Sequence, residues 1–71
     1  MKAILNMYDS CAKDIEVGKG DYVVANTDEF GLKIGKKYKI LEVNGLDLIT
    51  VEVYRGYSDV YSIEWFDEMR E

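Results

Sequence analysis

Two different hydrophobic periods divide the chain near residues 18–20. Before this point, apolar residues recur at the three- and four-residue spacing of one helix face, at Ala3, Ile4, Met7, Tyr8, Cys11, Ala12 and Ile15. Only Leu5 clearly breaks that stripe. The pattern predicts an amphipathic helix within residues 1–17, with a short strand near residues 3–7 as the alternative. In either form, we expect this N-terminal segment to cover the core of the domain that follows.

Beyond residue 20, short runs of β-branched and aromatic residues alternate with turn residues, which is typical of strands. The runs cover residues 22–26, 37–43, 48–54 and 57–61. Asn44-Gly45 predicts a hairpin with a type I′ turn. The alternative is a loop that is two residues longer and includes Leu46 and Asp47. Ser62 is the predicted N-cap of a helical turn, and residues 66–69 follow as a brief closing strand. The pattern therefore predicts one mainly β domain over residues 1–71, without internal repeats.

The order of these elements resembles the SH3-like small barrel. Residues 32–43 look like the passage from the first long loop into the second strand, and residues 61–66 look like the fourth strand, helical turn and fifth strand. The resemblance implies five short antiparallel strands closed into a barrel over residues 21–70, with one helical turn between the last two. It does not imply proline recognition, because the chain has no proline and only Trp65 matches an aromatic position of that groove.

In length and in the order of its elements, the whole chain also resembles the YorP-like family of small SPbeta-type prophage proteins from Bacillus. That family is described as five strands with one helix between two of them, and it has no assigned function. The resemblance implies a prophage protein acting inside the bacterial cell, and it supplies no mechanism.

Composition narrows the chemistry that the chain can perform. The sequence holds 9 Lys+Arg and 14 Asp+Glu, for a net charge of −5, with one Cys and no His. Histidine catalysis, His-ligated metals and Cys-rich zinc sites lack their residues, and Cys11 alone forms no internal disulfide. No apolar run approaches the ~20 residues of a membrane-spanning helix. We expect a cytoplasmic, monomeric, non-catalytic protein without metal or cofactor and without membrane contact.

Five of the nine aromatic residues lie within residues 54–66. Tyr and Trp side chains suit interaction hot spots, but they also suit a barrel core, which is the alternative. The binding interpretation predicts a surface for a host or phage protein formed by Tyr54, Tyr57, Tyr61, Trp65 and Glu64. Tyr57 and Tyr61 should share one side of a strand. Residues 40–71 carry 2 Arg and 8 acids, which favours a basic partner, although the same charge also serves solubility.

The basic cluster of the chain supports a rival function. Nucleic-acid binding would use lysines for phosphate contacts and rings for base stacking, at Phe30, Lys33, Lys36, Lys37, Tyr38 and Lys39. The net negative charge opposes this function, and a solvated lysine face is the simpler interpretation. Whether Tyr22 and Tyr38 lie in the core or at the rim stays open, because a bulge would exchange their sides.

Overall fold

A computed structural model describes residues 1–8, 11 and 13–69 of the chain. These residues form seven β-strands and one 3₁₀ turn, and they contain no α-helix. The strands are β1 (Ala3–Leu5), β2 (Ile15–Val17), β3 (Tyr22–Ala25), β4 (Lys37–Val43), β5 (Leu48–Tyr54), β6 (Tyr57–Ser62) and β7 (Phe66–Glu68), and the 3₁₀ turn η1 spans Ile63–Trp65. The prediction of a mainly β domain is confirmed.

Strands β3 to β7 form one antiparallel sheet in the order β6-β5-β4-β3-β7. Side-chain alternation explains its two faces, since β5 buries Ile49, Val51 and Val53 and turns the residues between them outward. The strands predicted at residues 37–43 and 48–54 are confirmed to the residue. Ser62 caps η1 as predicted, because its Oγ accepts a hydrogen bond from the Glu64 amide at 3.4 Å.

The five-stranded sheet does not close into a barrel. β6 and β7 are its two end strands, and among the described residues no strand pairs with the outer edge of β6. The predicted closure is absent because, in the described part of the chain, β6 pairs with β5 and β7 pairs with β3, while these two end strands do not pair with each other. β1 packs against η1 and β7, so the N-terminal segment covers this end of the core.

Residues 1–17 contribute a hairpin where a helix was the first prediction. β1 pairs with β2 in antiparallel register, with Ala3 opposite Val17. Ala3 and Leu5 are both fully buried. Strand alternation therefore uses Leu5, the residue that interrupts the helical stripe. The helix prediction is wrong and the strand alternative is confirmed for residues 3–5, whereas Ala12 of the predicted stripe lies outside the described residues.

The connection between β4 and β5 is a longer loop than a type I′ turn. Neither Asn44 nor Gly45 adopts a left-handed backbone, so the type I′ prediction is wrong. Both amides donate to the Leu48 carbonyl, at 2.9 and 3.2 Å, and the loop continues through residue 47. The two additional residues remove the need for positive φ that a two-residue hairpin imposes. The loop also anchors β1, since the Ile4 amide donates to the Leu46 carbonyl at 2.8 Å.

One hydrophobic core joins the two sheets. Its buried members are Ala3, Leu5, Val17, Val23, Ala25, Leu32, Tyr38, Ile40, Ile49, Val51, Val53, Tyr61, Ile63 and Phe66. Phe66 is central to the aromatic part of this core, because Tyr38 and Tyr61 meet its ring edge-on at centroid distances of 6.3 and 6.0 Å. Of the two tyrosines whose position the sequence left open, Tyr38 lies in the core and Tyr22 is exposed.

Candidate functional site

The far end of the β5–β6 hairpin presents two stacked tyrosines to solvent. Tyr54 and Tyr57 lie opposite each other, and their ring centroids are 5.0 Å apart at an interplanar angle of 21°. Their side chains remain 63% and 43% exposed, respectively. A register shift leaves Val53 as an extra residue in β5 just before this pair, and such a bulge bends and twists the hairpin. The pair is therefore an exposed aromatic surface at the hairpin end.

The loop between β3 and β4 presents a second aromatic pair. Phe30 has a φ of 60°, a left-handed conformation that is strained for a bulky residue, and Gly31 follows it at 83°. The Phe30 ring nevertheless stays 57% exposed and contacts the half-buried Trp65 at a centroid distance of 5.3 Å. The backbone thus holds a large apolar side chain at the surface and not in the core.

Tyr61 connects this loop to the core. Its side chain is only 7% exposed, and its hydroxyl donates to the Phe30 carbonyl at 2.6 Å. Burial, followed by the nearby Asp59 carboxylate, raises the pKa of the Tyr61 phenol, so the phenol keeps its donor proton across the neutral range. The prediction that Tyr61 is a surface anchor needs correction, because its ring belongs to the core while its hydroxyl positions Phe30.

The two aromatic pairs belong to one region of the molecule. A Cβ placed on Gly31 would lie 3.5 Å from Val53 Cγ1, so the strained bend rests on the strand residue that precedes Tyr54. We use the name aromatic surface for the side chains of Phe30, Tyr54, Tyr57 and Trp65. Sequence reasoning found three of these four for this site. It assigned Phe30 to the basic cluster, because nothing local links residue 30 to residue 65.

Asp59 adds a negative charge beside the aromatic surface. Its Oδ2 accepts from the Tyr57 hydroxyl at 3.2 Å, and its Oδ1 accepts from the Val60 amide at 2.8 Å. The negative charge of Asp59 and this hydrogen bond raise the pKa of the Tyr57 phenol. One exposed carboxylate therefore contacts both a ring of the surface and the backbone of the end strand β6.

Glu64, predicted as part of the same surface, lines a different groove. This acidic groove has a cavity volume of about 230 Å³ and is lined by Asn6, Tyr8, Asn26, Ile63, Glu64, Phe66 and Asp67. The Tyr8 hydroxyl donates to Asp47 Oδ2 at 2.6 Å, and this bond raises the pKa of the Tyr8 phenol, with a smaller contribution from the Glu64 charge. The structure therefore places Glu64 against the N-terminal hairpin and not against Tyr54 and Tyr57.

Of the two rings predicted for nucleic-acid binding, Phe30 is exposed and Tyr38 is buried. Lys33, Lys36, Lys37 and Lys39 are all exposed. Tyr38 is buried, and its hydroxyl accepts from the Lys33 amide at 2.9 Å, so its ring is not available for base stacking. The exposed ring on this side is that of Tyr22, which lies opposite Lys39 and has Lys37 Nζ 5.8 Å from its centroid. Strict alternation from the buried Val23 could have identified Tyr22.

Comparison of the chain with protein-family models, with curated proteins and with solved structures finds no match. In the part of the chain that the structure describes, no helix is long and apolar enough to cross a membrane. Among those same residues, no group of three or more potential metal-ligating side chains occurs.

Proposed function

We propose that this protein is a non-catalytic interaction module that binds another protein through its aromatic surface. The observation that carries the proposal is Phe30, whose strained left-handed backbone holds an apolar ring in solvent against Trp65. Strain of this kind costs on the order of 1–3 kcal/mol and persists where the surrounding structure imposes it, often at binding sites. A phenylalanine whose ring packed in the core would not require a strained backbone that keeps the ring in solvent.

The chemistry of the surface fits a protein partner. Tyrosine and tryptophan provide a large apolar area with a polar tip, and they dominate the binding energy of many protein interfaces. The stacked pair Tyr54 and Tyr57 is already ordered by its mutual contact, so little side-chain freedom is lost on binding. The Asp59 carboxylate beside Tyr57 favours a basic partner and accelerates its encounter.

The setting that we propose is an SH3-like fold in a cytoplasmic, monomeric prophage protein of the YorP-like family, with a host or phage protein as partner. The strand order β6-β5-β4-β3-β7 and the 3₁₀ turn between the last two strands support the SH3-like part of this proposal. The mode of binding would differ from proline recognition, because Trp65 is the only residue of the chain that matches an aromatic position of the proline-binding groove.

The test is capture of proteins from a Bacillus lysate on the immobilised chain, with quantitative mass spectrometry. The test variant is Tyr54→Ala/Tyr57→Ala, and the control is Tyr22→Ala, which removes an exposed ring on a different part of the sheet. We expect at least one protein to be retained by wild type and by the control and lost by the double variant. Retention that is equal for all three chains would refute the proposal.

Nucleic-acid binding is the second candidate function, and the position of Tyr22 favours it. Tyr22 places an exposed ring between Lys37 and Lys39 on the outer face of β3 and β4, which is a suitable arrangement for stacking a base beside two phosphate contacts. Fluorescence anisotropy with labelled single-stranded DNA tests it. Salt-dependent binding that is lost in Lys37→Ala/Lys39→Ala would support this function, and no binding at low salt would eliminate it.

A further inference from the structure

The outer edge of β6 has backbone groups that are available to another strand. In an antiparallel pair, the amides of successive residues point alternately toward and away from the neighbouring strand. The Val60 amide donates to the Asp59 side chain, so it points away from β5, and the Ser58 amide two residues earlier points the same way. Within the described residues this edge has no strand partner.

Asp59 protects this edge in the free protein. Its Oδ1 satisfies the Val60 amide at 2.8 Å, which is the donor that an incoming strand would need. Charged side chains at sheet edges commonly prevent uncontrolled pairing between molecules. In the register that centres on residue 59, an antiparallel pair of two β6 strands would also bring two Asp59 carboxylates close together, and like charges at that distance repel. The charge at this position therefore disfavours a second copy of the chain as the occupant.

A basic segment would reverse the effect of the same carboxylate. A lysine or arginine opposite Asp59 would pair with its charge and release the Val60 amide to a carbonyl of the incoming strand. Asp59 lies opposite the core residue Val51, so its side chain projects on the core side of the sheet, beside Tyr57. A basic side chain next to it could also lie over the exposed rings of Tyr54 and Tyr57. The Asp59 carboxylate and the two tyrosine rings thus both favour a basic segment.

We infer that the partner contributes an extended segment with basic residues at alternate positions, which adds antiparallel to the outer edge of β6 with Asp59 as the residue that selects it. This inference rests on the proposed function and names its binding mode. The basic residues of the segment would face Asp59 and Tyr57, and its apolar residues would face the exposed Val60 on the opposite side of the sheet.

The probe is a fluorescein-labelled hexapeptide of alternating lysine and valine, with fluorescence anisotropy as the readout at low and at physiological salt. We expect Asp59→Asn to weaken binding about five-fold at low salt, which corresponds to the upper range for an exposed charge pair. The asparagine keeps an oxygen for the Val60 amide, so the fold is preserved. Glu52→Gln is the matched control, since Glu52 is an exposed acid on the adjacent strand β5, and it should change the affinity less than about two-fold.

Two N-methylated peptides test the backbone pairing itself. In the proposed antiparallel register the valine amides face β6 and the lysine amides face solvent. N-methylation of the valines should abolish binding, and N-methylation of the lysines should leave it. Survival of binding after valine methylation, equal loss with both peptides, or an unchanged affinity in Asp59→Asn would overturn the inference. Lysate capture that depends on Tyr54 and Tyr57 would still uphold the proposed function in each of these cases, so the two failures are distinguishable.

Discussion

Replacing Tyr61 with phenylalanine should loosen the loop that carries Phe30 without disturbing the core. The substitution removes one oxygen atom, and with it the 2.6 Å hydrogen bond to the Phe30 carbonyl. The ring itself stays the same size, so its edge-on contact with Phe66 is retained. The change therefore isolates the hydrogen bond between the Tyr61 hydroxyl and the strained bend.

The expected loss follows from the chemistry of that bond. A neutral intramolecular hydrogen bond contributes about 1 kcal/mol net, within ~0.5 kcal/mol. A domain of this length has an unfolding free energy of roughly 4–11 kcal/mol, at ~0.05–0.15 kcal/mol per residue. A loss of ~1 kcal/mol should lower the melting temperature by about 4–8 °C for a domain of this size. We therefore expect a folded but measurably less stable Tyr61→Phe variant.

The assay is urea denaturation followed by Trp65 fluorescence and by circular dichroism. Trp65 is the only tryptophan and touches Phe30, so its native emission also reports on the position of the loop. Tyr54→Phe is the matched control, because it removes the same atom from an exposed ring, and its effect should stay within ~0.5 kcal/mol. Equal stability of the two variants, together with wild-type Trp65 emission in Tyr61→Phe, would refute this prediction.

An alkaline titration gives the same prediction a second readout. Burial raises the pKa of Tyr61 above its ordinary value of 10.0. A group whose pKa is raised on folding contributes stability that is complete below the unfolded pKa and is lost as pH rises through the folded pKa. The free energy of unfolding should therefore decline above pH 10.0, and more gently in Tyr61→Phe than in wild type. Some decline should persist, because the pKa values of Tyr8 and Tyr57 are also raised.

Four further substitutions, one of them a control, test the framework of the fold. Gly56→Ala should destabilise the protein by about 1 kcal/mol in thermal unfolding, because Gly56, in the β5–β6 hairpin, has a φ of 85°. Its control is Gly45→Ala, at a position without positive φ, which should cost less than ~0.5 kcal/mol. Tyr8→Phe removes the bond to Asp47 and should accelerate amide hydrogen exchange at Ile4 while the melting temperature stays nearly constant. Phe66→Ala should remove roughly 3–5 kcal/mol and lower the melting temperature by more than ~10 °C, and a cooperative transition near the wild-type temperature would contradict the central position of that ring.

The central strands could be predicted from the sequence because their signals are local. β4 and β5 each have seven residues, with alternation and turn residues at both ends. β1 has only three residues. It contacts η1 and β7, which are distant in the sequence, so a local pattern does not show that Ala3 and Leu5 are buried. A short window in the sequence fits a helical stripe equally well, so the hairpin could not be distinguished from a helix there.

The candidate site was partly predictable for a similar reason. Alternation correctly relates Tyr57 and Tyr61 as neighbours on one side of β6, but it does not show where along the strand the core ends. The core covers Tyr61 and stops before Tyr57, so only one of them lies at the surface. The contact between Phe30 and Trp65 depends on a loop backbone in the left-handed region, for which Phe30 gives no signal in the sequence.

The pairing of β3 with β7 has a consequence for the order of folding. Ala25 lies opposite Phe66, a separation of 66 − 25 = 41 residues, whereas the β4–β5 and β5–β6 hairpins join segments that follow each other in the chain. Closing a longer loop costs more chain entropy and slows the steps that require it. We expect the β4–β5–β6 meander to form the folding nucleus and β7 to dock last. Weakening β7 should then accelerate unfolding and leave the refolding rate nearly unchanged.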